Sequence, residues 1–351
     1  MSSPCAKPVA ASAASILTAP NNYCVCRLGA YEKFVCDFFG YDKLLPMNTG
    51  VEAGETSNKI ARRWGYEVKG VEEDKATIIY AKGNFWGRTI AAISTSTDPE
   101  SRRGFGPFLP GAAMVDYGDL SQLEHAMIEN PNIVAVMLEP IQGEAGVVVP
   151  PPGYLQGVRE ICDTHNVLFI ADEVQTGLGR TGAMIACDHD GVRPDMLLLG
   201  KALSGGVLPV SAVLADDAVM GVIDPGSHGS TFGGNPLGCA VATAALSVLR
   251  DEGLPQNAAT MGAIFRAGLQ ELALERPDMV AEVRGKGLLN GMVMKGGAGR
   301  DAWTVCLKLM EAGLLAKPTH DTIIRFSPPL TLTEEQTRNQ IDIIKKVVHS
   351  F

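Results

Sequence analysis

The sequence predicts an α/β protein: a large domain with a mainly parallel sheet covered by helices, then a small C-terminal α+β domain. Three observations carry this. Short apolar runs such as Val167-Leu168-Phe169-Ile170-Ala171 and Met196-Leu197-Leu198-Leu199 read as strands buried on both faces. Segments of helical periodicity alternate with them, the βαβ rhythm of a parallel sheet. After about residue 276 that rhythm gives way to paired strands followed by helices.

The elements follow in order. Residues 1–22 are rich in Ser, Ala and Pro, with Lys7 but no Arg and no acid. A secretory leader needs a longer apolar core, and an organelle transit segment is Arg-rich. A disordered or atypical segment is therefore expected over 1–27. A helix is expected over 29–39, and another over 52–65 with Ala53, Ser57, Ile60, Ala61 and Trp64 on one face. Strands are expected at 76–81, 133–138, 167–171, 196–199 and 210–214, with helices at 120–129 and 154–164 between them. Helices near 236–251 and 257–275 come next. Strands at 280–283, 287–294 and 322–326 and helices at 301–312 and 334–349 complete the chain. The expected domains are 28–276 and 277–351.

Composition narrows the function. A formal charge of −9 and the lack of a basic stripe argue against a nucleic-acid partner. No apolar stretch is long enough to span a membrane. The 8 cysteines are scattered without a C-x-x-C pair, so neither a zinc site nor a disulfide framework is expected. That usage reads as intracellular: cytoplasmic, with a mitochondrial location as the alternative.

Two ionisable residues carry the most information. Asp172 ends one buried run, and Lys201 follows another through Gly200. Ligands of open α/β sheets bind at the C-terminal edge of the strands. An amine and a carboxylate there suit pyridoxal 5′-phosphate, which needs a Lys for a Schiff base and an acid facing its ring nitrogen. A buried ion pair serving only packing is the alternative. The small residues of Ala202-Leu203-Ser204-Gly205-Gly206 and the Gly177 that follows Asp172 favour a ligand close to the backbone.

Other motifs gather around this pair. Asn48-Thr49-Gly50-Val51-Glu52 opens the 52–65 helix, where free backbone N–H groups bind phosphate. An ordinary N-cap is the bland reading. Gly83-Asn84-Phe85-Trp86-Gly87-Arg88 follows a strand; Phe85 and Trp86 read as a wall for ring stacking and Arg88 as a carboxylate holder. Glu139 and Glu144 leave another strand at the same edge. Ser227-His228-Gly229-Ser230-Thr231 precedes the 236–251 helix and offers hydroxyls to a second phosphate cradle, with His228 read as structural. Arg325, on or beside a strand, suits a two-point carboxylate clamp.

At these residues the chain resembles the class III pyridoxal-phosphate-dependent aminotransferases of fold type I, from about Leu28 to Phe351. The motifs are Asn48-Thr49-Gly50-Val51-Glu52-Ala53-Gly54-Glu55, Ala171-Asp172-Glu173-Val174-Gln175-Thr176-Gly177 and Leu199-Gly200-Lys201-Ala202-Leu203-Ser204-Gly205-Gly206. The resemblance implies Lys201 as the Schiff-base lysine, Asp172 on the ring nitrogen, Gln175 near the ring hydroxyl and Phe85 stacked on the ring. It implies Gly50 and Val51 on the phosphate, and Thr231 reaching the phosphate of a neighbouring subunit in a homodimer. It further implies transfer of the terminal amine of L-ornithine to 2-oxoglutarate. Arg88 would meet the ornithine carboxylate. Arg325 would hold the α-carboxylate of glutamate, with Glu144 masking it when ornithine enters.

Family members carry a further stretch before the point where the match begins, which builds part of the small domain and the dimer interface. Two alternatives stay open from the sequence. One is a shortened, non-catalytic protein of the same fold. The other is a relative acting on acetylornithine or 4-aminobutyrate.

Overall fold

The computed structural model describes residues 23–297 and 299–351. Residues 1–22 of the expected N-terminal segment lie outside the described residues. From Tyr23 the chain is helical, so the first helix, α1 (Tyr23–Phe39), begins well before the expected residue 29. The described chain falls into two compact units.

The first unit runs to Pro140 and adds Pro150–Gln175 and Cys187–Val248. Its sheet has seven strands: β1 (Lys43–Met47), β2 (Thr77–Ala81), β3 (Ala112–Val115), β4 (Ile133–Leu138), β5 (Leu168–Asp172), β6 (Met196–Leu199) and β7 (Ser211–Ala215). Their spatial order is β1-β7-β6-β5-β4-β2-β3. Strands β3, β2, β4, β5 and β6 are mutually parallel, while β7 runs antiparallel to both β6 and β1. This is the predicted α/β class.

Neither β1 nor β3 was expected. In β1, Pro46 breaks the strand signature of Lys43-Leu44-Leu45-Pro46-Met47. The strand lies at the edge of the sheet, the position where a proline is tolerated. Strand β3 is the other edge, four residues of Ala, Met and Val bounded by glycine and aspartate, too short to show alternation.

Besides α1 and three short helices, the helices of this unit are α2 (Gly50–Trp64), α3 (Leu120–Glu129), α4 (Tyr154–Thr164) and α5 (Pro236–Asp251). The expected face of α2 is buried, and Ala53, Ile60, Ala61 and Trp64 share a core with Val134, Met137, Leu168, Ile170, Met196 and Leu198. Side chains alternate along a strand, so Asp172 points to the same side of β5 as Leu168 and Ile170. It therefore faces the side that α2 covers.

The second unit comprises Ile141–Val149, Thr176–Ala186 and Leu249–Phe351, more chain than the expected 277–351. The reason is packing: α6 (Leu254–Glu275) contributes Phe265, Leu269 and Leu272 to the same core as Met292, Val305, Ile324 and Ile344. A four-stranded antiparallel sheet, in the order β10-β11-β9-β8, is formed by β8 (Val280–Lys286), β9 (Leu289–Met294), β10 (Lys317–Thr319) and β11 (Ile323–Phe326). Helices α7 (Ala302–Glu311) and α8 (Glu334–His349) pack with them. Strand β10 was not expected, since three residues containing a proline give no periodic signal.

Candidate active site

In the first unit, Asp172 is the last residue of β5 and pairs in register with Leu198 of the parallel neighbour β6. Lys201 leaves β6 two residues after its end. It takes the left-handed conformation, φ 41°, which costs a non-glycine residue energy. Lys201 is exposed, whereas Asp172 is buried.

Asp172 is buried. Its Oδ1 accepts a hydrogen bond from Val174 N at 3.0 Å. Burial pushes its carboxyl up to about 6, although the Val174 bond and the charge of Lys201 both pull the other way. A carboxylate removed from water in this way favours a cationic N–H partner.

The start of α2 stands over the same strand ends. A Cβ on Gly200 would lie 3.6 Å from the Cα of Gly50. A Cβ on Gly50 would meet Val174 Cγ1 at 2.8 Å, so only glycine lets α2 come this close. Thr49 caps the helix: Glu52 N donates to its Oγ1, and its own N–H donates to Glu52 Oε2 at 2.7 Å. Hydrogen bonds from Thr49 and Asn48 outweigh burial and hold the Glu52 carboxyl below its ordinary value. The first-turn N–H groups of Gly50 and Val51 have no acceptor within the helix and are suited to a phosphate. The Thr49 hydroxyl, read as part of that cradle, is occupied by the cap.

Ser230 is tied to the same helix start. Asn48 Nδ2 donates to its Oγ at 3.0 Å, and Gly233 N donates to the same oxygen. Thr231 beside it is exposed. His228 bridges Thr56 Oγ1 and Lys59 Nζ, each at 2.8 Å, which is the structural role expected of it.

The aromatic wall divides. Phe85 is half-buried, and its N–H donates to Glu139 Oε1 at 2.9 Å. Trp86, read as part of the wall, turns into the core instead. It stacks on Tyr80, its Nε1 donates to Thr95 Oγ1, and it lies so close to α2 that a Cβ on Gly54 would be 2.6 Å from it. Of the two adjacent rings, one is thus half-buried and the other belongs to the core. Arg88 donates to Ser101 Oγ at 2.9 Å and sits 5.3 Å from the centre of the Phe85 ring. Gln175, half-buried, follows Val174 at the end of this segment.

In the second unit, Arg325 lies within β11 and its Nη1 donates to Glu144 Oε1 at 2.6 Å. Lys317 Nζ donates to the other oxygen, Oε2, at 2.8 Å. Against the effect of burial, these two cations hold the Glu144 carboxyl down at about 2. The Glu144–Arg325 pair is the one that the family resemblance implied.

Some working residues were not singled out by sequence. Val174 both fills the space over Gly50 and holds Asp172. Tyr117 OH donates to the carbonyls of Glu139 and Pro140 and so fixes the segment that carries Phe85's acceptor. Lys317 stands opposite Arg325 only through the pairing of β10 with β11, and the three residues of β10 carry no periodic signal of that pairing.

The model of the family described as Aminotransferase class-III matches residues 9–348. The chain belongs to the class III aminotransferases. It is 60% identical over 324 residues to a rat protein named ornithine aminotransferase, mitochondrial, a match that covers 92% of this chain and 73% of the relative. The ornithine aminotransferase of Toxoplasma gondii ME49 superposes with a TM-score of 0.90 at 50% identity, covering 92% of this chain and 76% of that one. An acetylornithine aminotransferase from Elizabethkingia anophelis follows at a TM-score of 0.83 and 49% identity, covering 93% and 79%. The family is one of pyridoxal-phosphate enzymes, and the residues of this class III aminotransferase fit that cofactor. Asp172 is a buried carboxylate at one strand end, the amine of Lys201 follows the end of the adjacent strand, and Gly50 at the start of α2 lies against Gly200. Among the described residues no group of His, Cys, Asp and Glu side chains gathers as a metal site, and no helix is long and apolar enough to cross a membrane.

Proposed function

We propose that this protein transfers the terminal amino group of L-ornithine to 2-oxoglutarate, giving L-glutamate 5-semialdehyde and L-glutamate, with pyridoxal 5′-phosphate as cofactor. The observation that carries the reading is Lys201 and Asp172 at the ends of adjacent parallel strands. The ornithine substrate is supported by the names of relatives at 60% and 50% identity.

Pyridoxal phosphate, when bound, supplies an electrophilic carbon for the amine and a ring that accepts the electron pair left by deprotonation. Lys201 would hold it through Nζ. The same Nζ, once free, would hold and move the proton of the substrate carbon that bears the amine. Asp172 keeps the ring nitrogen protonated, the pairing its burial favours. The N–H groups of Gly50 and Val51 would hold the phosphate, and Ser230 keeps the second loop against Asn48. Phe85 covers one face of the ring, and Gln175 takes the ring hydroxyl.

Two arginines divide the carboxylates. Arg88 takes that of ornithine. Arg325 takes the α-carboxylate of glutamate or 2-oxoglutarate, and Glu144 covers it while ornithine is bound. A permanently bare Arg325 would draw ornithine in by its α-carboxylate and present the wrong amine. A homodimer is the working unit of this reading, with Thr231 reaching the phosphate site of the second copy. For the compartment, the word mitochondrial in the rat relative's name supports the second of the two expected locations.

An absorbance titration tests the reading. The purified protein loaded with pyridoxal phosphate should show a band that L-ornithine converts to that of the aminated cofactor. A band that forms and ignores ornithine would refute the substrate assignment.

A further inference from the structure

Lys317 and Arg325 stand directly opposite one another on the antiparallel strands β10 and β11. Directly opposed residues of an antiparallel pair put their side chains on the same face, where like charges repel. Glu144 resolves the repulsion by giving one oxygen to each: Oε1 to Arg325 at 2.6 Å and Oε2 to Lys317 at 2.8 Å. The two cations differ in setting. The Arg325 side chain is 12% exposed and that of Lys317 56% exposed, with Glu144 between them at 25%.

The backbone that carries Glu144 is fixed. Arg284 donates from Nε and Nη2 to the carbonyl oxygen of Gly146, at 3.1 and 2.9 Å. Val147, at φ 57°, accepts a conformation rare for a β-branched residue, and its side chain is buried with Ile141 and Leu289. The loop therefore has little freedom to swing away. When Arg325 turns to a substrate carboxylate, the Glu144 carboxylate on this held backbone must keep a partner or stand as an uncompensated, largely buried anion, which is costly.

We infer that Lys317 is a positioning residue that retains Glu144 whenever Arg325 is given over to the carboxylate of the amino acceptor. The inference rests on the proposed exchange of Arg325 between Glu144 and substrate. Lys317 lowers the cost of that exchange in two ways. It competes with Arg325 for Glu144 beforehand, and it holds Glu144 afterwards. Its role is selective for dicarboxylate partners, since ornithine leaves the Glu144–Arg325 pair closed.

The test uses the cofactor-loaded protein and glutarate, an unreactive dicarboxylate, as the calorimetric probe. Lys317→Met should weaken glutarate binding by roughly two- to fivefold at low salt, the range of a half-exposed ion pair. It should raise KM for 2-oxoglutarate more than it lowers kcat, and Lys317→Arg should restore both. In a Glu144→Gln background the Lys317→Met effect should disappear. An equal loss in both backgrounds would show that Lys317 only attracts anions, and no loss in either would show that it does nothing here; both overturn the inference. Arg325→Gln separates this from the underlying reading. If that change leaves glutarate affinity intact, Arg325 is not the carboxylate site, whatever Lys317 does.

Discussion

Val174 fills the space above Gly50: a methyl group added to Gly50 would lie 2.8 Å from Val174 Cγ1. The same Val174 donates its N–H to Asp172. One residue thus sets both how near α2 comes to the strand ends and how the buried carboxylate is oriented. Gly50→Ala should cost about 1–3 kcal/mol of stability through overpacking. Because Val174 must shift, it should also weaken pyridoxal phosphate binding. Thermal melting with and without cofactor checks this, and a variant with wild-type melting in both states would disprove the packing argument.

Lys201→Ala should abolish transamination while leaving the fold intact, since the side chain is exposed and makes no contribution to the core. Steady-state turnover of ornithine and circular dichroism measure the two halves. Retained turnover would remove Lys201 from its role.

Asp172→Asn should separate activity from stability. The folded-state value is raised, from 3.8 to about 6. The fold therefore binds the protonated acid better than the unfolded chain does, and this contribution is complete below pH 3.8. It is lost as pH rises through about 6. At neutral pH the cofactor-free Asn variant should be more stable than the parent by on the order of 2 kcal/mol. Its transamination rate should fall at least about a hundredfold. Urea unfolding of the cofactor-free proteins at pH 4 and pH 8 decides: a stability gain that does not grow with pH contradicts the burial argument.

Phe85 and Trp86 are adjacent in sequence and should respond differently. Trp86→Ala empties a core site against Tyr80 and Gly54 and should cost about 3–5 kcal/mol. Phe85→Ala should cost far less stability and show itself as a raised dissociation constant for pyridoxal phosphate. Melting curves and cofactor titration of the two variants form the comparison.

Glu144→Gln should leave Arg325 without its anionic cover. The expected result is a lower kcat/KM for ornithine, by about tenfold, with the glutamate half-reaction unchanged or faster, as expected when an ion pair that holds an Arg is removed. The carboxyl sits at about 2, below its ordinary 4.5. Its stabilising effect is therefore present above pH 4.5 and fades as pH falls through about 2. Above pH 5 the wild-type preference for ornithine should not change through this group, and a preference that titrates between pH 5 and 7 would point elsewhere.

Much of this was legible in the chain itself. The continuous apolar runs of β4, β5 and β6 announce strands covered on both faces, and their ends locate Asp172 and Lys201 at the ligand edge. The bounds of α3, α4, α5 and α8 follow from periodicity and from turn residues on either side. Strands β1, β3 and β10 were not legible, because each is short, at an edge or interrupted by proline. At such positions pairing with a neighbour, and not local preference, makes the strand.

The sequence by itself determined the α/β class, a helix opening just after Asn48-Thr49-Gly50 and the residue types of the chemistry, since these depend on periodicity and local hydrogen bonding. Only the tertiary structure decided that Phe85 faces out while Trp86 joins the core, that Val174 couples Gly50 to Asp172, and that Glu144 is shared between Arg325 and Lys317. Those facts depend on which distant segments meet, and a single chain read in order carries no direct record of such meetings.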